Sequence, residues 1–350
     1  MRSVSSVVNP AVCLCFLAFI LPVVDDYLPT SMRFASLVPA IMVFAIVGLG
    51  LNIVAGFTGL LNLGAAAFMA IGAYTFAICT VPIYPFQIGF WPGLGVALLV
   101  GALAGTILAL PAMRLRGDYL AIVTLGFGEI ITDVLKNMDA ITKGTQGLNP
   151  VAAPEIPFIT HSISAYKPTY YLYLALLLAA ILLCQNMRKS RLGRQWIAVR
   201  DDELAARSMG ISPARTKLIA FAIGSGLCAF GGAMFASLNG TSIEPSFYDF
   251  QQSVVILCIV IVGGMGNVKG VILGALIMVG FNSIILVNLT EWMTRNELTG
   301  NNVLATPSNW KFMIFGLALI LMMRLRPQGI IPAQDVDPIK AKPVTIGTVS

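Results

Sequence analysis

The apolar residues of this chain gather into blocks of roughly 17 to 25, the length of helix that spans a hydrocarbon core, with polar stretches between them. Candidate spans run over about 11–28, 34–53, 57–79, 88–112, 119–136, 168–187, 216–238, 251–266, 269–289 and 310–325, of which the eighth is short and bounded by glycine. The pattern predicts an all-α, polytopic membrane helical bundle of about ten transmembrane helices. It fills one domain over residues 1–330, and residues 331–350 form a tail. The block from Val12 to Val24 has the short polar lead of a signal peptide, with Arg2 its only charge. Asp25, Asp26 and Tyr27 follow it instead of small residues, so a retained span is expected.

Orientation can be tested separately, because cytoplasmic loops hold the excess of Lys and Arg. Threading ten spans with the N-terminus inside places sixteen of the 22 basic residues in the cytoplasm, half of them from Arg188 to Lys217. The six opposite are Arg33, Lys136, Lys143, Lys167, Arg295 and Lys311. Both termini are therefore expected to be cytoplasmic. Tyr27, Tyr84, Trp91, Tyr119, Tyr166, Tyr170, Trp292 and Trp310 fall near span ends, where amphipathic rings favour the headgroup level.

Composition agrees with a membrane solvent. Apolar residues make up 57% of the chain, charged residues 11%, and the mean hydropathy is +0.85, which excludes an ordinary soluble domain. A net charge of +6 would fit nucleic acid or anionic lipid, but the basic residues sit between apolar blocks without interleaved aromatics. Topology accounts for them, and no nucleic-acid partner is expected. Cys13, Cys15, Cys79, Cys184, Cys228 and Cys258 lie in or beside apolar blocks at spacings that fit neither a disulfide framework nor a zinc site. No phosphate-binding G-x-x-x-x-G-K-[ST] loop occurs, and the single histidine, His161, has no potential ligand or triad partner at useful spacing. Catalytic, cofactor-binding and metal-binding residues are thus expected to be absent from the chain.

Two stretches are rich in glycine. One runs from Gly56-Phe57-Thr58-Gly59 to Gly64-Ala65 and the other from Gly263-Gly264-Met265-Gly266 to Gly274-Ala275. Each leads from a break into a small-residue helix, as equivalent parts of an internal repeat would. Asn52 and Asn62 flank the first break, Thr58 lies within it, and irregular backbone at membrane depth is tolerated only against protein or a wet cavity. The break is either part of a translocation path or a short cytoplasmic loop between the second and third spans. Glu129 stands near the middle of a predicted span, where a charge requires a partner, a cavity or protonation. It either lines the path or ties helices together, with Thr124 and Asn52 as candidate partners.

The inner loop, about 188–217, is dense in charge. Asp201, Asp202 and Glu203 favour the positive end of a short helix, Arg207 its last turn, and Gly210 with Pro213 its stop. By composition alone this is either a functional cytoplasmic helix or a solvated connector at the lipid surface.

Glu203-Leu204-Ala205-Ala206, three residues and then Gly210 resemble the EAA loop of ABC importer permeases, in which a short cytoplasmic helix docks into a groove on the ATPase. Here the glutamate stands one position early and Leu204 intervenes. Four further segments carry a wider resemblance: Gly56 to Gly64, Gly72-Ala73-Tyr74, Arg116 to Ile130, and Gly263 to Gly270. Together they resemble the branched-chain amino acid ABC permease family of the LivM type. The family often shows Ser-Leu-Gly-His where this chain has Asn62-Leu63-Gly64-Ala65, and Gly-Gly-x-Asn-Gly where it has Lys143-Gly144-Thr145-Gln146-Gly147.

The resemblance implies a non-enzymatic transport subunit of a bacterial inner (cytoplasmic) membrane, surrounded by lipid. It implies as partners a second homologous permease, two ATP-binding-cassette ATPases and a soluble substrate-binding protein. On the matching positions, Glu203, Ala205, Ala206 and Gly210 would couple to the ATPase. The candidate path residues are Asn52, Thr58, Asn62, Thr124 and Glu129. Branched-chain or other neutral amino acids are the expected cargo, with urea or amides as the alternative. A stand-alone secondary transporter has too few intramembrane ionisable groups in its favour, and an intramembrane enzyme lacks any nucleophile, base and metal constellation.

Overall fold

The computed structural model describes residues 37–85, 87–112, 118–154, 166–240, 243–295 and 307–332. The first predicted span, Cys13, Cys15, His161, the Arg116-Gly117 pair and the tail from 333 onward lie outside the described residues.

Helix α1, Val38–Leu51, continues directly into a π-helical segment, Asn52–Phe57. There follow α2 (Ala65–Thr80), α3 (Phe90–Ala112), α4 (Asp118–Asn137) and α5 (Tyr166–Lys189). The charged loop contains α6 (Arg191–Asp201) and α7 (Glu203–Ser208) and leads to the long α8 (Pro213–Asn239). Then come α9 (Phe250–Gly263), α10 (Val268–Gly280), a second π-helical segment (Phe281–Leu286), α11 (Val287–Arg295) and α12 (Lys311–Leu325). Among the described residues the β-structure consists of an isolated bridge between Leu148 and Ile243.

Every predicted span from residue 34 onward coincides with a helix, with two shifts. The third helix begins at Ala65 rather than at 57, and the ninth span continues through the second π-helical segment to Arg295. Five stretches are long and apolar enough to cross a membrane: Val38–Phe57, Phe90–Pro111, Pro168–Lys189, Pro213–Asn239 and Val268–Arg295. Helices α2 and α9 are shorter and also apolar.

Local chemistry sets the helix boundaries. Pro213, whose missing N–H costs nothing in a first turn, opens α8. Gly240, at φ +62°, closes it in the left-handed conformation that suits a residue without Cβ. The Asp249 side chain accepts the Gln252 N–H to cap α9, and that of Asn267 accepts the Lys269 N–H to cap α10.

Helix α8 lies at the centre of the bundle, packed against α1, α2 and α3. The Val38–Phe57 span is 89% buried by protein, whereas Phe90–Pro111 and Pro168–Lys189 are only 39% and 33% buried. The latter two keep apolar faces for lipid, such as Leu99, Leu103 and Ile107 on α3. Small residues set the central contacts. A Cβ on Gly72 would stand 1.9 Å from the Ala229 carbonyl oxygen, and one on Gly232 1.9 Å from that of Met69. The backbones of α2 and α8 therefore meet directly, the arrangement expected where packing rather than water exclusion drives association.

Candidate functional site

The charged loop is built as a rigid element. Ser190 accepts the Gly193 N–H to start α6. Trp196, fully buried, stacks on Phe57 with ring centroids 6.2 Å apart at 12° and donates its Nε1–H to the Thr216 carbonyl at 3.0 Å. Asp202 ends α6 and caps α7, accepting the N–H groups of Leu204 at 2.8 Å and Ala205 at 3.0 Å. Gly210, at φ +80°, follows α7, and Pro213 begins α8. The short helix expected after Asp201–Glu203 is α7; α6 before it is a second helix that the loop's charge concealed.

The four coupling candidates occupy different environments. Glu203 is half-buried and pairs with Lys217 at 2.8 Å and with Arg207 at 3.6 Å, which binds α7 to the start of α8. Ala206 is buried, whereas Ala205 and Gly210 are exposed. Leu204 and Met209 are 67% and 83% exposed and form the apolar tip of the segment. The sequence reading did not single them out; two large apolar side chains in an otherwise charged stretch were the available signal.

The two glycine-rich breaks meet in space. Asn52 Oδ1 accepts the Gly266 N–H at 2.8 Å, and a Cβ on Gly56 would stand 2.0 Å from Asn52 Oδ1 and 2.5 Å from the Gly266 nitrogen. Asn52 Nδ2 is buried without a hydrogen-bond partner. Arg200, on α6, donates to the Gly56 carbonyl at 2.7 Å. The chain after α12 closes the second break: the N–H groups of Ile330 and Ile331 donate to Val262 and Gly263, and Asn267 Nδ2 donates to Pro332.

Residues 58–64 form a connection beside α6, with Gly59 at φ +70°. Thr58 donates its hydroxyl to the Val54 carbonyl. Asn62 accepts the Gly64 N–H at 2.9 Å. Thr124 accepts the Leu63 N–H at 3.0 Å and donates to Ala121, while Ser253 accepts the Ala66 N–H. Asn62, Thr124 and Ser253 thus satisfy backbone donors left free around the start of α2. Asn52, Thr58, Asn62 and Thr124 are thus all buried in protein in this conformation.

Glu129 differs from them. Its face of α4, shared with Tyr119, Ile122, Ile130, Asp133 and Val134, is exposed, while Leu120, Thr124 and Thr132 face inward. The cross-helix bonds considered for it do not form: the Thr124 hydroxyl donates to Ala121, and Asn52, whose Nδ2 is unpaired, is buried whereas Glu129 is exposed. Glu129 stands eleven residues after Asp118 in a 20-residue helix, about 16 Å along a length of about 30 Å. Helix α4 is not one of the five stretches long and apolar enough to cross a membrane; in a membrane-spanning α4 a carboxylate there would be unfavourable against lipid, and this face would require a wet or protein neighbour. Elsewhere, a cavity of about 220 Å³ is lined by Phe44, Phe235, Phe247 and Phe315 together with Asn282 and Ser283 of the second π-helical segment.

Comparison with known proteins assigns the architecture to a family. No solved structure matches the chain. It is 38% identical over 312 residues to the high-affinity branched-chain amino acid transport system permease protein LivM of Escherichia coli K12, covering 83% of this chain and 68% of that protein. It is 25% identical over 251 residues to a probable branched-chain amino acid transport permease protein LivM of Methanocaldococcus jannaschii, covering 71% and 70% respectively. A shorter likeness, 27% over 121 residues, covers 33% of this chain and 35% of the autoinducer 2 import system permease protein LsrC of Salmonella paratyphi B. The family model for the branched-chain amino acid transport system permease component matches residues 34–323, which span the helices from α1 into α12, and the chain belongs to that family.

Proposed function

We propose that this chain is the membrane-spanning permease subunit of an ATP-binding-cassette importer and moves branched-chain or other neutral amino acids across the bacterial cytoplasmic membrane. It crosses the bilayer ten times with both termini in the cytoplasm, and residues 1–330 act as one unit. A second, homologous permease completes the channel, two ATPases drive it, and a soluble binding protein delivers the amino acid. The observation that carries this reading is α7, a capped helix that presents Leu204, Ala205 and Met209 to its surroundings while Ala206 and the Glu203–Lys217 pair anchor it. An exposed apolar tip in a charged loop fits a groove on a partner protein. Glu129 and its α4 face border the aqueous path between the two permeases, which gives the carboxylate a wet neighbour at mid-depth. Asn52, Thr58, Asn62 and Thr124 are buried in this conformation, and on the inward side of α4 Thr124 ties the helix to Leu63.

Reconstitution into liposomes tests the reading. The chain with a second permease, ATPases and binding protein is expected to accumulate leucine on ATP addition, and the chain alone is expected to accumulate none. Uptake against a gradient by the chain alone would overturn the assignment.

A further inference from the structure

The contact between α6 and the inner end of α1 consists of side chains from one element gripping the other. Arg200 Nη1 holds the Gly56 carbonyl at 2.7 Å, and Trp196 lies parallel to Phe57. Gly59 adds to the fit, because a Cβ there would stand 3.0 Å from Arg200 Cγ. A guanidinium–carbonyl bond is charge-assisted and directional, and the ring pair adds apolar contact beside it, so the two elements are held together at two points.

The gripped segment is the π-helical one, Asn52–Phe57. Such segments depart from the i→i+4 ladder and concentrate at functional positions. Through Asn52 and Gly56 it bears directly on Gly266 in the turn between α9 and α10. Asn52 Nδ2 is left buried and unpaired there, which makes this arrangement costlier than one in which that donor is bonded.

Resting on the importer reading above, we propose that Arg200 and Trp196 are positioning residues that bolt α6 to the π-helical end of α1. The bolt delivers a displacement of α7 by the ATPase to the junction of the two glycine-rich turns. The bolt stays closed through the transport cycle, so α6 and residues 52–57 move together. Two other links, Glu203 to Lys217 and Trp196 to Thr216, lead to α8. Arg200 is the charged link to α1.

The test uses the complete importer in proteoliposomes and reads leucine taken up per ATP hydrolysed. Arg200→Ala is expected to leave assembly and ATP hydrolysis in place and lower that ratio on the order of tenfold, the loss expected for one hydrogen bond to a charged group. Arg200→Lys, whose ammonium can reach the same carbonyl, is expected to keep most of the ratio. A cysteine pair then asks whether the bolt moves. A Cβ at position 59 lies 3.7 Å from Arg200 Cβ, within the disulfide range of about 3.5–4.5 Å. Gly59→Cys with Arg200→Cys is expected to be uncoupled when reduced and recoupled when oxidised. A wild-type ratio in Arg200→Ala, equal losses in the alanine and lysine variants, or arrest of uptake in the oxidised pair would each overturn the proposal. If Gly59→Cys does not fold because of its positive φ, the alanine and lysine variants still decide. Failure of these tests while substitutions at Leu204 and Met209 uncouple the importer removes the bolt and leaves the docking site. Uptake by the chain alone removes the importer reading instead.

Discussion

Replacing Leu204 and Met209 together by serine removes the apolar tip of α7 and leaves its supports alone. The Asp202 cap, the Glu203–Lys217 pair and the buried Ala206 are untouched. Full burial of such a side chain is worth about 1.5–3 kcal/mol. Scaled by exposures of 67% and 83%, the pair offers roughly 2–4 kcal/mol to a partner that covers it. That corresponds to a factor of about 30 to 1,000 in affinity, and ordering of the interface on association draws the expectation toward the lower figure. The double variant should therefore bind the ATPase about 30-fold more weakly, each single variant accounting for part of the loss. Titrating purified ATPase onto the detergent-solubilised chain measures this directly. Ser208→Ala, an exposed change on the same helix, serves as the control and should bind as the parent does. Parental affinity in the double variant would refute α7 as the docking element.

Glu129→Gln is expected to co-purify with its partners but to transport more slowly, as measured by initial uptake rates; unchanged rates would remove this carboxylate from the path. Gly72→Ala forces a methyl into the Ala229 carbonyl and should cost about 1–3 kcal/mol or more as overpacking, seen as a lower melting temperature in detergent. An unchanged melting temperature would mean that α2 and α8 are not in backbone contact. Asn52→Ala strips the Gly266 N–H of its acceptor, a loss of about 1–3 kcal/mol for a buried donor. The same melting assay reads it, and no shift would argue that water already serves that N–H.

Block length was enough to read the helices from residue 34 onward, because a bilayer imposes a minimum apolar run that leaves a plain mark in the sequence. Helix α6 left no such mark. Its inward positions Gly193, Trp196 and Val199 are few, and they stand among Arg191, Arg194 and Arg200, which read equally well as charges that fix topology. Asn52 and Thr124 were recognisable as polar groups in need of partners, yet the partners, Gly266 and Leu63, lie 214 and 61 residues away. A requirement for a bond is local, while its fulfilment depends on packing. The exposure of Leu204 and Met209 was not legible for the converse reason: an apolar side chain in sequence carries no sign of being left outside. Pro213, Gly210 and the acidic start of α7 were legible because caps and stops act within a few residues.

The seam of small residues along α8 also limits how this protein can change shape. Where Gly72 faces Ala229 and Gly232 faces Met69, peptide planes rest on peptide planes, and no flexible side chain lies between them to absorb a shift. The core helices must then travel as one plate. Alternating access in such an assembly is a tilting of plates against each other, with the bending confined to the connections at their rims.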